Sequence, residues 1–534
     1  MQTLAVVPIV INAGAAVFPM IVAAIAGIAA TVFHPKAFLQ LVRRGPWLTA
    51  LAAGGLVVAV VFGPRLWRAA APSRAAARPA RQIDWTKVAI ALIAQAPLHR
   101  PAAVPDTSTV TPAVAGSVTS ATERVGTPAP QGQDFSRSLA GDDVSPAGLS
   151  PLWSFQPEGT VFLGTPAVLG KRIYVAASQV DLGGYTGLFA CLDVDTGKPI
   201  WQVTEAGKDT LQAFFSSPAV TADGRYVIVG QGLHQDRDCS LLCFETATGK
   251  LHWAVKTPLH IESSPAIFGD LTVVGAGAIE GNTGQPIGDP GYVFAVRISD
   301  GQSLWKQAVN DPESSPAIDE AGIVYIGSGF NGSAVVALRS GTDEALRTQE
   351  LDRVVWRTAL AQPITAPVTL LGEFVIVGGG NSDMVHSDKN AQGLVVALSR
   401  RTGAIIWQTK FEDAVLGGIA ARDGMLLCPL RTGEVAALAA ADGQILWRTH
   451  VSGNSPVLAG GAFTKERAYV VSNDGYLAVL ATATGKVLEK IYLNDQGKPG
   501  TGLSLSSPQV VGNRIIVGSE TGGLRALQGK EGAK

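Results

Sequence analysis

DTGKPIW, residues 195–201, returns along the chain as ATGKLHW (247–253), SDGQSLW (299–305), RTGAIIW (401–407) and ADGQILW (441–447). ATGKVLE (483–489) is a further copy that has lost its tryptophan. In each complete copy a glycine precedes the tryptophan by four residues. Glycine there supplies the positive φ of a tight turn, and the Thr or Asp beside it bonds the turn backbone. Upstream of each copy lie apolar strands and an opening of small residues, with proline at Pro166, Pro218, Pro265, Pro316, Pro367 and Pro508. Gly418 and Gly461 stand at the two remaining openings, which makes eight at a spacing of 43 to 52 residues.

Four short strands at that period form a sheet that can bury its faces only against neighbouring sheets, which is the arithmetic of a propeller. The expected fold is all-β: an eight-bladed β-propeller over residues 151–534, carried on N-terminal transmembrane helices. Trp153, Trp201, Trp253, Trp305, Trp356, Trp407 and Trp447 are expected as wedges between blades, at the start of each outer strand. The eighth repeat runs out after three strands, so PLWSFQ (151–156), with its Trp153, is expected to supply the fourth and close the ring.

Residues 1–70 read as a membrane segment. Leu4 to Phe33 contain no charge, more than the roughly 20 residues needed to span a bilayer, and a second apolar run lies between Trp47 and Trp67. Residues 71–150 read as a largely flexible linker rich in Pro, Ala, Ser and Thr. The arginines after Trp67 argue for a cytoplasmic propeller by the positive-inside rule. A net charge of -1 and the lack of a basic tract in the repeats give no footing for nucleic acid. Four cysteines are too few for a disulfide framework, and Cys239 and Cys243 read as small buried strand residues.

The Gly-to-Trp copies resemble the tryptophan-docked repeats of the quinoprotein-like (PQQ-like) β-propeller superfamily, in particular its BamB-like, membrane-tethered members. RSLAGDDVSPAGLSPLW (137–153) is similar to the lead-in of such members. The resemblance implies a propeller on the extracytoplasmic side, against the arginine count. It also implies two functions of different class: a non-enzymatic binding or scaffolding module acting on protein partners, or a quinoprotein oxidoreductase of alcohols or sugars. Only the second would need PQQ and calcium. A family dehydrogenase would carry a cofactor clamp and long catalytic insertions, whereas blades 6 to 8 have bare turns such as RTGEV and ETGG, and no two cysteines are adjacent. The binding module is the favoured reading, with no cofactor.

Loops lengthen between the second and third strands of blade 1 (Val180 to Thr186), blade 2 (Gly232 to Asp238), blade 3 (Glu280 to Pro290) and blade 5 (Asn381 to Gln392). Together they mark one face spanning blades 1 to 5 as the partner face. Glu262 and Glu313 sit three residues before Pro265 and Pro316, where the other blades carry Leu163, Phe215, Ile364, Val415, Leu458 and Leu505. With His260, Asp311, and His234 and Asp236 of the blade 2 loop, they form the candidate binding set, a polar or cation-binding notch at the channel mouth. The two apolar N-terminal runs predict that the full-length chain pellets with membranes and resists carbonate extraction. Recovery in the soluble fraction would remove the membrane segment from this account.

Overall fold

A computed structural model describes residues 144–530 apart from 182–183, 281–284, 350, 454 and 496–503. The expected transmembrane helices and nearly all of the linker lie outside those residues. Among the described residues no helix is long and apolar enough to cross a membrane.

Eight antiparallel sheets follow one another around a ring. Blade 2 shows the plan: Ala219–Val220 innermost, then Tyr226–Gly230, Cys239–Glu245 and Leu251–Thr257 outermost. Blade 8 has Gln509–Val511, Arg514–Gly518 and Leu524–Gln528 from the C-terminus, and takes its outer strand from β1 (Ser150–Phe155). β1 pairs antiparallel with Leu524–Gln528, Trp153 opposite Ala526 and Phe155 opposite Leu524. The ring therefore closes as expected, and β1 covers the edge that Leu524–Gln528 would otherwise leave open.

Each of the seven tryptophans reaches across to the next blade. The indole nitrogens of Trp153, Trp201, Trp253, Trp305, Trp356, Trp407 and Trp447 donate to the carbonyls of Val194, Thr246, Ile298, Ser340, Arg400, Ala440 and Thr482, over 2.7 to 3.1 Å. A β-bulge at the residue before each tryptophan turns the ring toward its neighbour. The residue opposite it on the third strand is always small: Cys191, Cys243, Ala295, Ala337, Ala397, Ala437 or Ala526. This places Cys191 and Cys243 as space-saving strand residues; all four cysteines are buried and free. The turn glycine of the next blade lies flat on the indole. Gly249 has φ +72°, and a Cβ there would fall 2.6 Å from the Trp201 ring, so a side chain is excluded on both counts. Burying an indole of roughly 200 Å² contributes up to about 5 kcal/mol per junction, and its hydrogen bond about 1 kcal/mol. Burial supplies the strength, and the hydrogen bond sets the direction.

Two junctions depart from this pattern. Blade 4 replaces the glycine turn by a helical turn, Glu344–Arg347, and the Arg353 guanidinium covers Trp305 at 4.3 Å. Between blades 7 and 8, Glu489 stands in the tryptophan position, opposite Val479. There the lead-in fills the gap: Leu149 joins the buried core and its N–H donates to Glu489, while Tyr469 donates to the Pro146 carbonyl and Arg467 to that of Ser145. Residues 145–149, ahead of Pro151, thus pack on blades 7 and 8.

Near the axis, hydroxyls link the blades. The Ser507 N–H donates to Thr165 Oγ1, Thr165 N–H to Ser217 Oγ, Ser217 N–H to Ser264 Oγ and Ser264 N–H to Ser315 Oγ, all at 2.8 to 3.0 Å. Blades 6 and 7 carry Gly417-Gly418 and Gly460-Gly461 instead, which have no hydroxyl to offer.

Two details differ from the sequence reading. The blade 1 insertion is not a loop but an extension of the strands Arg172–Asp181 and Gly184–Asp193, in register to Asp181 opposite Gly184. It is steadied by β2 (Thr160–Val161), which pairs with Ser178 and Gln179. In blades 5 and 6 the register runs one residue later than the spacing suggests. Ile364 and Val415 point into the core, and Thr365 and Leu416 line the channel. A one-residue slip sends a strand's side chains to the opposite face. Deletion of Pro151 to Gln156 from the full chain is expected to lower the thermal midpoint or cause aggregation; an unchanged midpoint would show that β1 does not hold the ring closed.

Candidate functional site

The strand starts of all eight blades converge on an axial channel lined by Leu163, Phe215, Leu416, Leu458 and Leu505, with Met384 of the blade 5 loop at its mouth. Glu262 and Glu313 are the charged residues among the described residues lining it. The loop of blade 2 bends back over these two. Asp236 accepts the Leu233 N–H at 2.8 Å and closes that loop internally, so it shapes the site rather than lining it.

The bend delivers His234 to Glu313. His234 Nδ1 lies 3.1 Å from Glu313 Oε1, and His260 Nε2 lies 3.0 Å from the same oxygen. His260 is fully buried at the start of blade 3, and Glu313 starts blade 4, so three blades meet at one carboxylate oxygen. The other edge of the His234 ring faces Glu280 Oε2 at 3.5 Å. Glu280 is held in turn by Asn331, whose amide donates to Oε1 at 3.1 Å, and by its own N–H, which donates to Gln235 Oε1 at 3.1 Å. Asp311 sits behind the cluster, buried and in the left-handed region at φ +50°, and accepts the Phe330 N–H on Oδ2. Its Oδ1 is buried with no hydrogen-bond partner.

Of the candidate set, two histidines and one carboxylate gather at the channel mouth. His234, His260 and Glu313 come together; Glu262 lies beside them on the channel wall; Asp311 backs them; Asp236 does not join them. Glu280 and Gln235 were missed, because single polar residues in a loop carry no periodic signal. A second polar knot, also missed, pins the blade 5 loop. Asp413 accepts from Ser382 at 2.5 Å and from Ser387, and Arg431 donates to Ser387 Oγ and to the Asp383 carbonyl.

The electrostatics follow from burial and crowding. Burial pushes Glu313 toward neutrality, but His234 and His260 outweigh it and hold its carboxyl well below the usual range. Burial likewise opposes protonation of His234, yet the Glu313 and Glu280 carboxylates raise it well above an ordinary imidazole. Glu262, half-buried and facing the Glu313 charge, is pushed up to about 7. Asp311 is raised well above the ordinary value by burial and then by Glu313 and Glu280.

A dehydrogenase quinone bears several carboxylates. Here it would meet two glutamates and, at the equivalent positions of other blades, apolar side chains, with no Arg or Lys among the described residues lining the channel. The lining does not fit that cofactor.

Tryptophan-docked four-stranded blades, eight to a ring and closed by an N-terminal strand, define a quinoprotein-like β-propeller. Residues 129–378 and 391–534 match the family described as outer membrane protein assembly factor BamB, and the chain belongs to that family. It is 23% identical over 377 residues to outer membrane protein assembly factor BamB of Yersinia pestis, covering 68% of this chain and 83% of that protein. Among solved structures, BamB from Moraxella catarrhalis aligns with a TM-score of 0.53 at 16% identity, over 73% of this chain and 99% of that one. Quinohemoprotein alcohol dehydrogenase from Pseudomonas putida aligns with a TM-score of 0.52 at 15% identity, over 75% and 79%. At such identities both structures speak for the fold alone.

The raised Glu262 gives a signed expectation. Between its ordinary value of 4.5 and about 7 the folded state holds a proton that the unfolded chain releases, so stability falls as pH climbs through that window. With EDTA present, Glu262→Gln should therefore match wild type near pH 4.5 and exceed it at pH 8 by on the order of 1–3 kcal/mol. A Gln variant less stable than wild type at pH 8 would show that the charged carboxylate is welcome there.

Proposed function

We propose that this protein is a non-enzymatic interaction module of the cell envelope: a membrane-tethered propeller, displayed on the extracytoplasmic side, that holds a protein partner on the face carrying the blade 2, 3 and 5 loops and the blade 1 hairpin. The observation that carries it is how those loops are held. The blade 2 loop is drawn onto Glu313, and the blade 5 loop is tied to Asp413 and Arg431, which are both buried. Loops ordered before binding spare a complex the entropy of ordering them. The opposite face offers short turns occupied by tryptophan docking, apart from the blade 4 segment 340–353 with its helical turn.

Family membership supports the same reading, since the family and the Yersinia pestis relative are described as outer membrane protein assembly factors. The acidic and apolar channel mouth supports it over a carboxylated cofactor. Photo-crosslinking residues placed at exposed Arg237 and Lys389 on the loop face, and at exposed Lys198 and Asp442 on the turn face, test it in intact membranes. Adducts are expected from the first pair and not the second; adducts confined to the turn face would overturn the assignment.

A further inference from the structure

We infer that His234, His260 and Glu313 form a binding site for a divalent transition-metal ion of the zinc class, which fastens the blade 2 loop to the starts of blades 3 and 4. Each residue offers one ligand atom, and the three atoms lie within 4.8 Å of one another. Two of the three separations, 3.1 and 3.0 Å, are close to the spacing of about 3.3 Å between ligands that sit roughly 2.0–2.1 Å from a tetrahedral ion. The imidazole rings are 5.3 Å apart between centroids and inclined at 64°, so they meet edge to face and are not stacked. Side-chain exposure of 26% at His234 and 12% at Glu313 leaves an ion a path from solvent and a coordination position open to it.

Three further features fit a metal site better than a plain ion pair. The second nitrogen of His234 faces the Glu280 carboxylate at 3.5 Å, and that carboxylate is itself held by Asn331, the outer arrangement that orients a ligating imidazole. Gly277 lies against the donor atoms: a Cβ there would fall 2.3 Å from His260 Nε2 and 3.0 Å from Glu313 Oε1. Only glycine leaves those atoms bare. Two imidazole nitrogens with one carboxylate also select against calcium, which prefers an all-oxygen shell, and toward zinc, cobalt, nickel or copper. The site stands on these side chains and does not depend on the face binding a protein.

The purified full-length chain, stripped with EDTA, is titrated with Co2+ and followed by visible absorption and thermal midpoint. One equivalent should produce the intense d–d bands of tetrahedral cobalt, lost on adding Zn2+ and untouched by Ca2+, and Zn2+ should raise the midpoint. His234→Gln and Glu313→Gln should each abolish the bands, and Glu280→Gln should keep their shape while weakening affinity about 10- to 100-fold. Circular dichroism of each variant separates lost binding from lost folding. Should a ligand variant not fold, the wild-type titration and Glu280→Gln carry the test. Absence of cobalt bands in wild type, or equal bands in folded His234→Gln, would overturn the site in favour of a bare ion pair or of ligation elsewhere.

Discussion

The contact on which the ring depends is an indole that leaves its own sheet to cap the turn of the next. A four-stranded blade of this size has two apolar faces and no partner inside itself, so its stability lies between blades. The bulge before each tryptophan, the Ala or Cys opposite it and the glycine in the next turn are three requirements of one docking event. Where one fails, another group takes its place. Arg353 covers Trp305 where the glycine turn is missing, and the Ser145–Leu149 lead-in fills the junction where Glu489 replaces tryptophan.

That docking uses one face of the disc and leaves the other for loops. On the loop face the backbone is held by polar side chains buried among strand starts. Glu262 and Asp311, both pushed toward neutrality, sit beside a Glu313 held charged by two histidines. Such crowding of unlike titrations is costly in an ordinary core, and here it is concentrated where loops and channel meet.

Much of this was legible in the residues, because Gly-to-Trp spacing and small-residue openings report local geometry that every blade must satisfy. The closing strand followed from an unpaired Trp153 and a truncated eighth repeat. What could not be read was lateral. The Ser–Ser–Pro openings look like turn chemistry until blades are placed side by side and each N–H finds the next hydroxyl. Glu280 and Asn331 are 51 positions apart and belong to successive blades, so their partnership needed the ring, as did that of Asp413 with Ser382. The blade 1 hairpin was more accessible, since Gly183-Gly184 between β-rich runs is a glycine turn signal that outweighs a loop reading.

The closing strand also sets an order of events during synthesis. β1 leaves the ribosome first among the propeller strands, and its partner Leu524–Gln528 leaves last, Ser150 and Gln528 being 378 positions apart. Bringing such ends together carries a loop-closure cost on the order of 5 kcal/mol. Blades 1 to 7 can each assemble from consecutive strands, while blade 8 waits to recover β1. Through nearly the whole of translation, β1 is an unpaired strand beside the lead-in, the stage at which a chaperone would find it.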